Sequence, residues 1–172
     1  MGCGTGRFHT FLRDNLPPDA ATTALDLSPF YLEKARANDE RWRRLRAAGT
    51  TTVEPATFIN AAGENVPLPD GTQDIVVMVY LLHECPSSAR AALAKEATRV
   101  LKPGGLLVVA DSIQLGDRPA LDSSLAIFKD FNEPHYESYI SEDLAAVFHE
   151  LSPDAKLMAS STKILSFRKP RG

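Results

Sequence analysis

The chain is poor in cysteine. Cys3 and Cys85 are the only two, and they stand far apart with no CxxC pair. That argues against a disulfide framework and against a cysteine zinc site, and reduced thiols in an intracellular, by default cytoplasmic, protein are expected. A basic excess is also missing. Lys and Arg total 19 against 22 Asp and Glu, a formal net charge of −3, whereas nucleic-acid binders are usually basic, so no nucleic-acid partner is expected. Long apolar runs are absent. The longest, Ile75–Leu82 and Leu106–Ala110, fall well short of the roughly 18–20 residues that span a bilayer. They suit buried strands, and no membrane span is expected. The residues after Met1 read as neither signal nor transit peptide, which carries little weight because the chain opens abruptly on a glycine turn. What remains is ordinary: 172 residues, 44% hydrophobic and 24% charged, the size and composition of one globular domain.

Local signals alternate along the chain. Met1–Gly6 is a glycine-rich loop with no strand before it. Arg7–Asn15 reads as a short helix with Phe8, Phe11 and Leu12 on one side, ended by Pro17 and Pro18. Thr22–Leu27 is β-prone. Ser28-Pro29 opens a helix to about Ala48, stopped at Gly49. Ala56–Ala62 reads as a strand and Gly63–Gly71 as a loop. Asp74–Leu82 has the near-continuous apolar character of a strand buried on both faces. Ser87 or Ser88 caps a helix to Leu101, Pro103-Gly104-Gly105 makes a tight turn, and Leu106–Ala110 is another buried strand. Beyond these, Ala120–Phe131 reads as a helix and Asn132–Ile140 as a polar, aromatic loop. Ser141 caps a helix to about Glu150, and Lys156–Phe167 makes two antiparallel edge strands. Strands separated by helices imply right-handed parallel crossovers, hence an α/β, doubly wound, mostly parallel sheet with an antiparallel C-terminal edge.

Several residues in this frame carry chemistry. In Gly2-Cys3-Gly4-Thr5-Gly6-Arg7 the glycines permit positive φ and close ligand approach, and the following helix offers unpaired N–H groups. Arg7 stands where a dinucleotide fingerprint needs its last glycine, which argues against a nicotinamide oxidoreductase. Asp26, twenty residues after Gly6, ends a predicted strand. It can accept hydrogen bonds from both hydroxyls of a ribose, or cap a helix, although Ser28 already serves as a cap. Leu27 can pack on an adenine ring. Gly63-Glu64-Asn65 reads either as an adenine-edge contact or as a polar turn. His83-Glu84 follows a buried strand, where ligands of open α/β sheets bind, and reads either as an acid–base pair or as a loop histidine beside a capping acid. His135, Tyr136 and Tyr139 either line a substrate pocket or pack under a loop. With no HExxH pattern, no metal site is expected. Asp74 and Pro103-Gly104-Gly105 read as architectural. Trp42 and Leu45 turn one way, and Arg41, Arg43, Arg44 and Arg46 form a solvated face.

Together these stretches resemble the class I S-adenosylmethionine-dependent methyltransferases, and most closely the small-molecule group related to the ubiquinone and menaquinone C-methyltransferases (methyltransferase type 11). The likeness rests on GCGTGR at 2–7, ALDLSPFYLEKAR at 24–36, AGENVPLPDGTQDIVVMVYLLHE at 62–84 and RVLKPGGLLVVADS at 99–112. It implies a Rossmann-like fold and S-adenosyl-L-methionine as cofactor. Gly2, Cys3, Gly4, Thr5 and Gly6 would hold its methionyl part, with Tyr80 nearby. Asp26 would bind the ribose diol, Leu27 would flank the adenine, and Gly63 and Glu64 would lie at its edge. The reaction implied is methyl transfer to a small-molecule acceptor. His83, Glu84, His135 and Tyr139 are the candidates for a base. Tyr80-Leu81-Leu82-His83 replaces an NPPY-like tetrapeptide, which argues against amino-group methylation of DNA or of protein glutamine.

Two departures qualify the resemblance. Ala62 occupies the place of an acid usual in the family. The family also runs a central strand straight into the glycine loop, whereas this chain begins at Met1. A fragment is therefore expected, because a central strand contributes on the order of 10 kcal/mol. Its denaturation midpoint should fall below that of an upstream-extended chain, and an upstream targeting segment would allow organellar import. The competing expectation is an inactive remnant of the fold that serves as a binding or interaction module.

Overall fold

Three glycines shape the first turn. Gly2, Gly4 and Gly6 take φ of 65°, 52° and 77°, a region costly for residues with a Cβ. The computed structural model describes residues 1–47, 54–128 and 133–171, in two compact units, Met1–Gly63 and Glu64–Gly172.

In the first unit the turn leads into α1 (Arg7–Asp14). Then β1 (Thr23–Asp26) pairs in parallel with β2 (Thr57–Asn60), placing Asp26 opposite Asn60. The crossover is α2 (Pro29–Ala47), with proline at the first helical position as read from the sequence. Its expected stop at Gly49 lies outside the described residues. The side of α1 that carries Phe8 and Phe11 is not its buried face. Phe8 and Phe11 are exposed, and the buried residues are His9 and Arg13. Charge explains this. Arg13 donates to Asp39 and to the Glu54 carbonyl, and lies 4.7 Å from the centre of the Trp42 ring. Asp39 also takes Arg43 at 3.1 Å. A buried guanidinium with this many partners fixes which side of α1 faces inward. The remaining arginines behave as a solvated face: Arg44 pairs with Glu40 and Arg46 with Asp14. Leu45, expected to turn inward with Trp42, is instead exposed.

His9 sets an acid limit on this unit. Its Nε2 lies 3.2 Å from Thr22 Oγ1, and its Nδ1 meets no hydrogen-bond partner among the described residues. Burial, then the nearby Arg13 charge, lowers its pKa from 6.5 to about 4. The unfolded chain therefore takes up a proton before the folded one does. Stability is complete above pH 6.5 and declines as pH falls toward 4, by on the order of 3 kcal/mol. Urea midpoints at neutral pH and near pH 4.5 should diverge less in His9→Gln than in the parent. Equal divergence would contradict this assignment.

The second unit holds β3 (Gln73–Val79), α3 (Ser87–Val100), β4 (Leu101–Ser112), β5 (Ser152–Ala159) and β6 (Thr162–Arg168). The strand order is β3-β4-β6-β5, with β3 and β4 parallel and the rest antiparallel. Burial alternates along β3: Val76 and Met78 are buried and Ile75 is exposed. The expected double-faced burial is thus replaced by one core face. On β4 the buried face carries Leu107, Val109 and Asp111. Pro103-Gly104-Gly105 lies inside β4 as a bulge rather than before it as a turn, because Gln73 pairs with Leu101 and Ile75 already pairs with Leu106. A Cβ on Gly105 would sit 2.8 Å from the Lys102 carbonyl oxygen and 3.2 Å from that of Asp74. Close backbone approach is therefore what this glycine provides, in keeping with an architectural role.

Shorter helices complete the unit. The predicted helix over 120–131 is α4 (Asp122–Phe128), preceded by a 3₁₀ turn at Pro119–Leu121. Its expected end lies outside the described residues. The predicted polar loop contains α5 (Tyr136–Ser141), whose Tyr136, Tyr139 and Ile140 are buried. That i, i+3, i+4 spacing marks an inward helix face. The predicted helix from Ser141 is reduced to α6 (Leu144–Val147), capped by Asp143, which accepts the Ala145 N–H at 2.9 Å. Ser141 ends α5 instead. The fold is α/β and Rossmann-like, mostly helix-linked parallel strands with an antiparallel C-terminal edge. Among the described residues its strands form two sheets, β1-β2 in the first unit and β3-β4-β6-β5 in the second.

Candidate functional site

In the first unit Asp26 is the joint between the glycine turn and α2. Its Oδ2 accepts the Gly4 N–H at 2.8 Å and its Oδ1 accepts the Ser28 N–H at 2.9 Å. The capping duty assigned to Ser28 alone is thus shared, because Ser28 Oγ accepts only the Tyr31 N–H, at 3.3 Å. Each carboxylate oxygen can accept more than one hydrogen bond, so both retain acceptor capacity. Two asparagines that sequence reasoning missed hold the frame. Asn60 Nδ2 donates to the carbonyls of Asp26 and Leu27 at 3.0 and 2.9 Å, and Asn38 Nδ2 donates to Thr5 at 2.8 Å. Cys3 N–H reaches the Leu25 carbonyl at 3.0 Å.

The turn is closed on one side and open on the other. A Cβ on Gly6 would press on Ala35 at 3.1 Å, whereas one on Gly4 would meet nothing within 4 Å. Beside it Leu27 is 73% exposed. Burial, then the Asp26 charge, pushes the Cys3 thiol up to about 11, so at neutral pH it stays protonated. Gly63 closes this unit in a turn. Glu64 opens the other unit and is exposed.

The second unit gathers its titratable groups at the carboxyl ends of β3 and β4. Parallel pairing puts Val79 opposite Ala110. Tyr80 follows with φ of 49°, a strained value for a non-glycine residue of the sort that clusters at functional sites, and its hydroxyl bonds Thr162 Oγ1. A 3₁₀ turn (Leu82–Glu84) then presents His83 and Glu84. Asp111, 1% exposed, organises this turn. Its Oδ2 accepts the Leu81 and Leu82 N–H groups at 3.1 and 2.8 Å, and its Oδ1 accepts Ser112 N–H at 2.8 Å and lies 2.6 Å from His83 Nδ1. Nδ1 is therefore committed to the buried acid, and Nε2 is left as the working nitrogen. The ring also packs edge-on to Tyr80, Tyr136 and Tyr139, with centroids 6.1, 6.3 and 6.1 Å away.

The candidates for a base separate clearly. Burial works against a charge on His83, but the Asp111 hydrogen bond and charge, with Glu84 and Glu133, outweigh it and raise its pKa. Glu84 Oε1 lies 3.7 Å from His83 Nε2. Tyr139 is fully buried, its hydroxyl donates to the Ser112 carbonyl, and burial drives its pKa up. Its hydroxyl is thus already engaged, and its ring packs edge-on to the His83 imidazole. His135 is half-buried just before α5, where its carbonyl accepts the Tyr139 N–H at 3.0 Å. Arg90, 0% exposed, braces the turn from below by donating to the carbonyls of Leu82 and Cys85, to Ser138 and to Glu142. Asp111 and Arg90 were missed from sequence. The available signal was a lone acid ending the apolar run Leu106–Ala110, and a lone arginine on the buried face of α3.

A family profile described as "Methyltransferase domain" matches residues 1–109. The chain belongs to this family. Among curated relatives it is 34% identical over 108 residues to a thiol S-methyltransferase of Rattus norvegicus, covering 62% of this chain and 38% of the relative. It is 31% identical over 143 residues to a malonyl-[acyl-carrier protein] O-methyltransferase of Marinomonas, covering 83% and 47%. The chain thus spans less than half the length of these relatives. Among solved structures, a SAM-dependent methyltransferase of Methanosarcina mazei superposes with a TM-score of 0.70 at 18% identity, covering 99% of this chain and 91% of that one. The N-methyltransferase NodS of Bradyrhizobium japonicum, solved with S-adenosyl-L-homocysteine, gives a TM-score of 0.68 at 16% identity, covering 98% and 75%. These likenesses establish the Rossmann-like methyltransferase fold. No described helix is long and apolar enough to cross a membrane.

Proposed function

We propose that this chain forms a single methyltransferase domain, transferring a methyl group from S-adenosyl-L-methionine to a small molecule through a heteroatom that gives up a proton. The carrying observation is the 2.8 Å bond between Asp26 Oδ2 and Gly4 N–H. It sets a carboxylate with spare acceptor capacity beside a glycine turn whose outer side has room at Gly4. The donor set fits the cofactor. Asp26 has acceptors for two ribose hydroxyls, exposed Leu27 offers an apolar surface to adenine, and Gly2, Cys3, Gly4, Thr5 and Gly6 offer backbone to the methionyl part. Gly63 adds backbone after β2. When bound, the sulfonium supplies an electrophilic methyl group, so the protein needs no nucleophile of its own.

The work left to the second unit is proton removal and orientation. His83 Nε2, held by the Asp111–Nδ1 bond, accepts the acceptor's proton. Glu84, exposed beside it, passes that proton to water, and Tyr139 and Tyr136 fix the ring plane. Relatives named for S- and O-methylation support an acceptor with a dissociable S–H or O–H group. The test is transfer of labelled methyl from S-adenosyl-L-methionine to small thiols, carboxylic acids and phenols. Labelled product with at least one class is expected. Saturable cofactor binding without transfer to any class would overturn the reading.

A further inference from the structure

We infer that His83, Glu84 and Glu133 form a binding site for a divalent transition-metal cation. One ligand atom from each lies within 4.8 Å of the other two. The two carboxylates converge on an imidazole, and among the described residues neither Glu84 nor Glu133 pairs with a lysine or arginine. When the imidazole is neutral and offers its Nε2 lone pair, no cationic side chain paired with either carboxylate balances the two like charges among the described residues, and a divalent ion matches them. The imidazole is prepared for this use. Its Nδ1 lies 2.6 Å from Asp111, a residue 1% exposed whose carboxylate is locked by three backbone N–H groups. Such a buried carboxylate behind a histidine fixes tautomer and ring direction and raises the basicity of the remaining nitrogen, which is the outer-sphere arrangement of metal-bound histidines.

The ligand chemistry selects the class of ion. One nitrogen and two carboxylates suit zinc, cobalt or manganese better than magnesium or calcium, which prefer all-oxygen sets. Three protein ligands leave coordination positions open. An ion there takes the Nε2 lone pair that otherwise accepts a proton. Its open positions can bind an acceptor's sulfur or oxygen and favour loss of its proton directly. The cluster escapes sequence reading because Glu133 lies far along the chain from His83, in the stretch leading into α5, and no short ligand spacing announces it.

This inference stands on ligand geometry and holds whether or not the chain transfers methyl groups. The test is titration of the metal-free full chain with cobalt(II), followed by visible absorption and by displacement with zinc. Saturable, equimolar binding is expected. Glu84→Gln and Glu133→Gln, conservative changes outside the buried core and checked for folding by circular dichroism, should each weaken it by about tenfold or more. His83→Ala should abolish the absorption. No saturable binding would overturn the site. So would binding of unchanged affinity in the two glutamine variants, which would place the ion on the thiols or the amino terminus.

Discussion

Replacing His83 with alanine should lower the rate of methyl transfer to an acceptor that must lose a proton by about 10²–10⁴-fold, the usual span for a lost general base, while cofactor affinity should stay within about twofold, because the role proposed for His83 is proton removal and not cofactor binding. The expectation follows from how the ring is held. Asp111 takes Nδ1 at 2.6 Å, and three tyrosine rings surround the imidazole. The pH profile carries the same signature. With the His83 pKa raised by its acidic neighbours despite burial, the ring is protonated and unable to accept below that value. The single-turnover rate should climb as pH rises through a pKa above 6.5. Stability runs the other way. The charged ring favours the fold through Asp111, so this contribution is present below pH 6.5 and is lost as pH rises through the raised value. An unchanged pH profile in His83→Ala would remove the residue from the chemistry. Asp111→Asn keeps the size of the side chain but weakens the pairing, and should shift the profile toward lower pH.

Arg90→Met is expected to destabilise the second unit by about 3–5 kcal/mol, read as a lower urea midpoint, because it strips one partner from a buried ion pair. Arg90 is 0% exposed and serves Glu142, Ser138 and the carbonyls of Leu82 and Cys85. Its loss orphans two backbone acceptors in the very turn that carries His83. Part of the loss should return in the double variant Arg90→Met with Glu142→Gln, which leaves no unpaired acid. By contrast Arg44→Met removes an exposed pair with Glu40 and should cost at most about 1 kcal/mol. Equal midpoints for Arg90→Met and Arg44→Met would show that the buried cluster does not brace the turn.

The parts of the fold legible in sequence are those governed by local chemistry. Positive φ at Gly2, Gly4 and Gly6, the Ser28-Pro29 helix start, and the acid twenty residues after the glycine turn all depend on neighbours in the chain, and the structure keeps them together. Parts decided by distant partners were misread. Phe8, Phe11 and Leu12 mark one apolar side of α1, but which side faces inward depends on Arg13 meeting Asp39, an interaction between separate helices. Pro103-Gly104-Gly105 carries every turn signal, yet pairing resumes on both sides of it, and only β3 reveals that. The aromatic spacing of Tyr136, Tyr139 and Ile140 was present, but polar flanking residues masked a short helix. Asp111 and Glu133 acquire meaning only once β4 and the start of α5 bring them to His83. Functional residues of this kind are set by tertiary register rather than by spacing.

Calorimetric titration of the chain with S-adenosyl-L-homocysteine, beside Asp26→Ala, probes the assignment on which the functional reading stands. Saturable binding weakened by about 1–3 kcal/mol in the variant is predicted, since a charged acceptor for the ribose would be lost. Identical affinity in both proteins would show that the Asp26 carboxylate holds only its own backbone and takes no part in gripping the ligand.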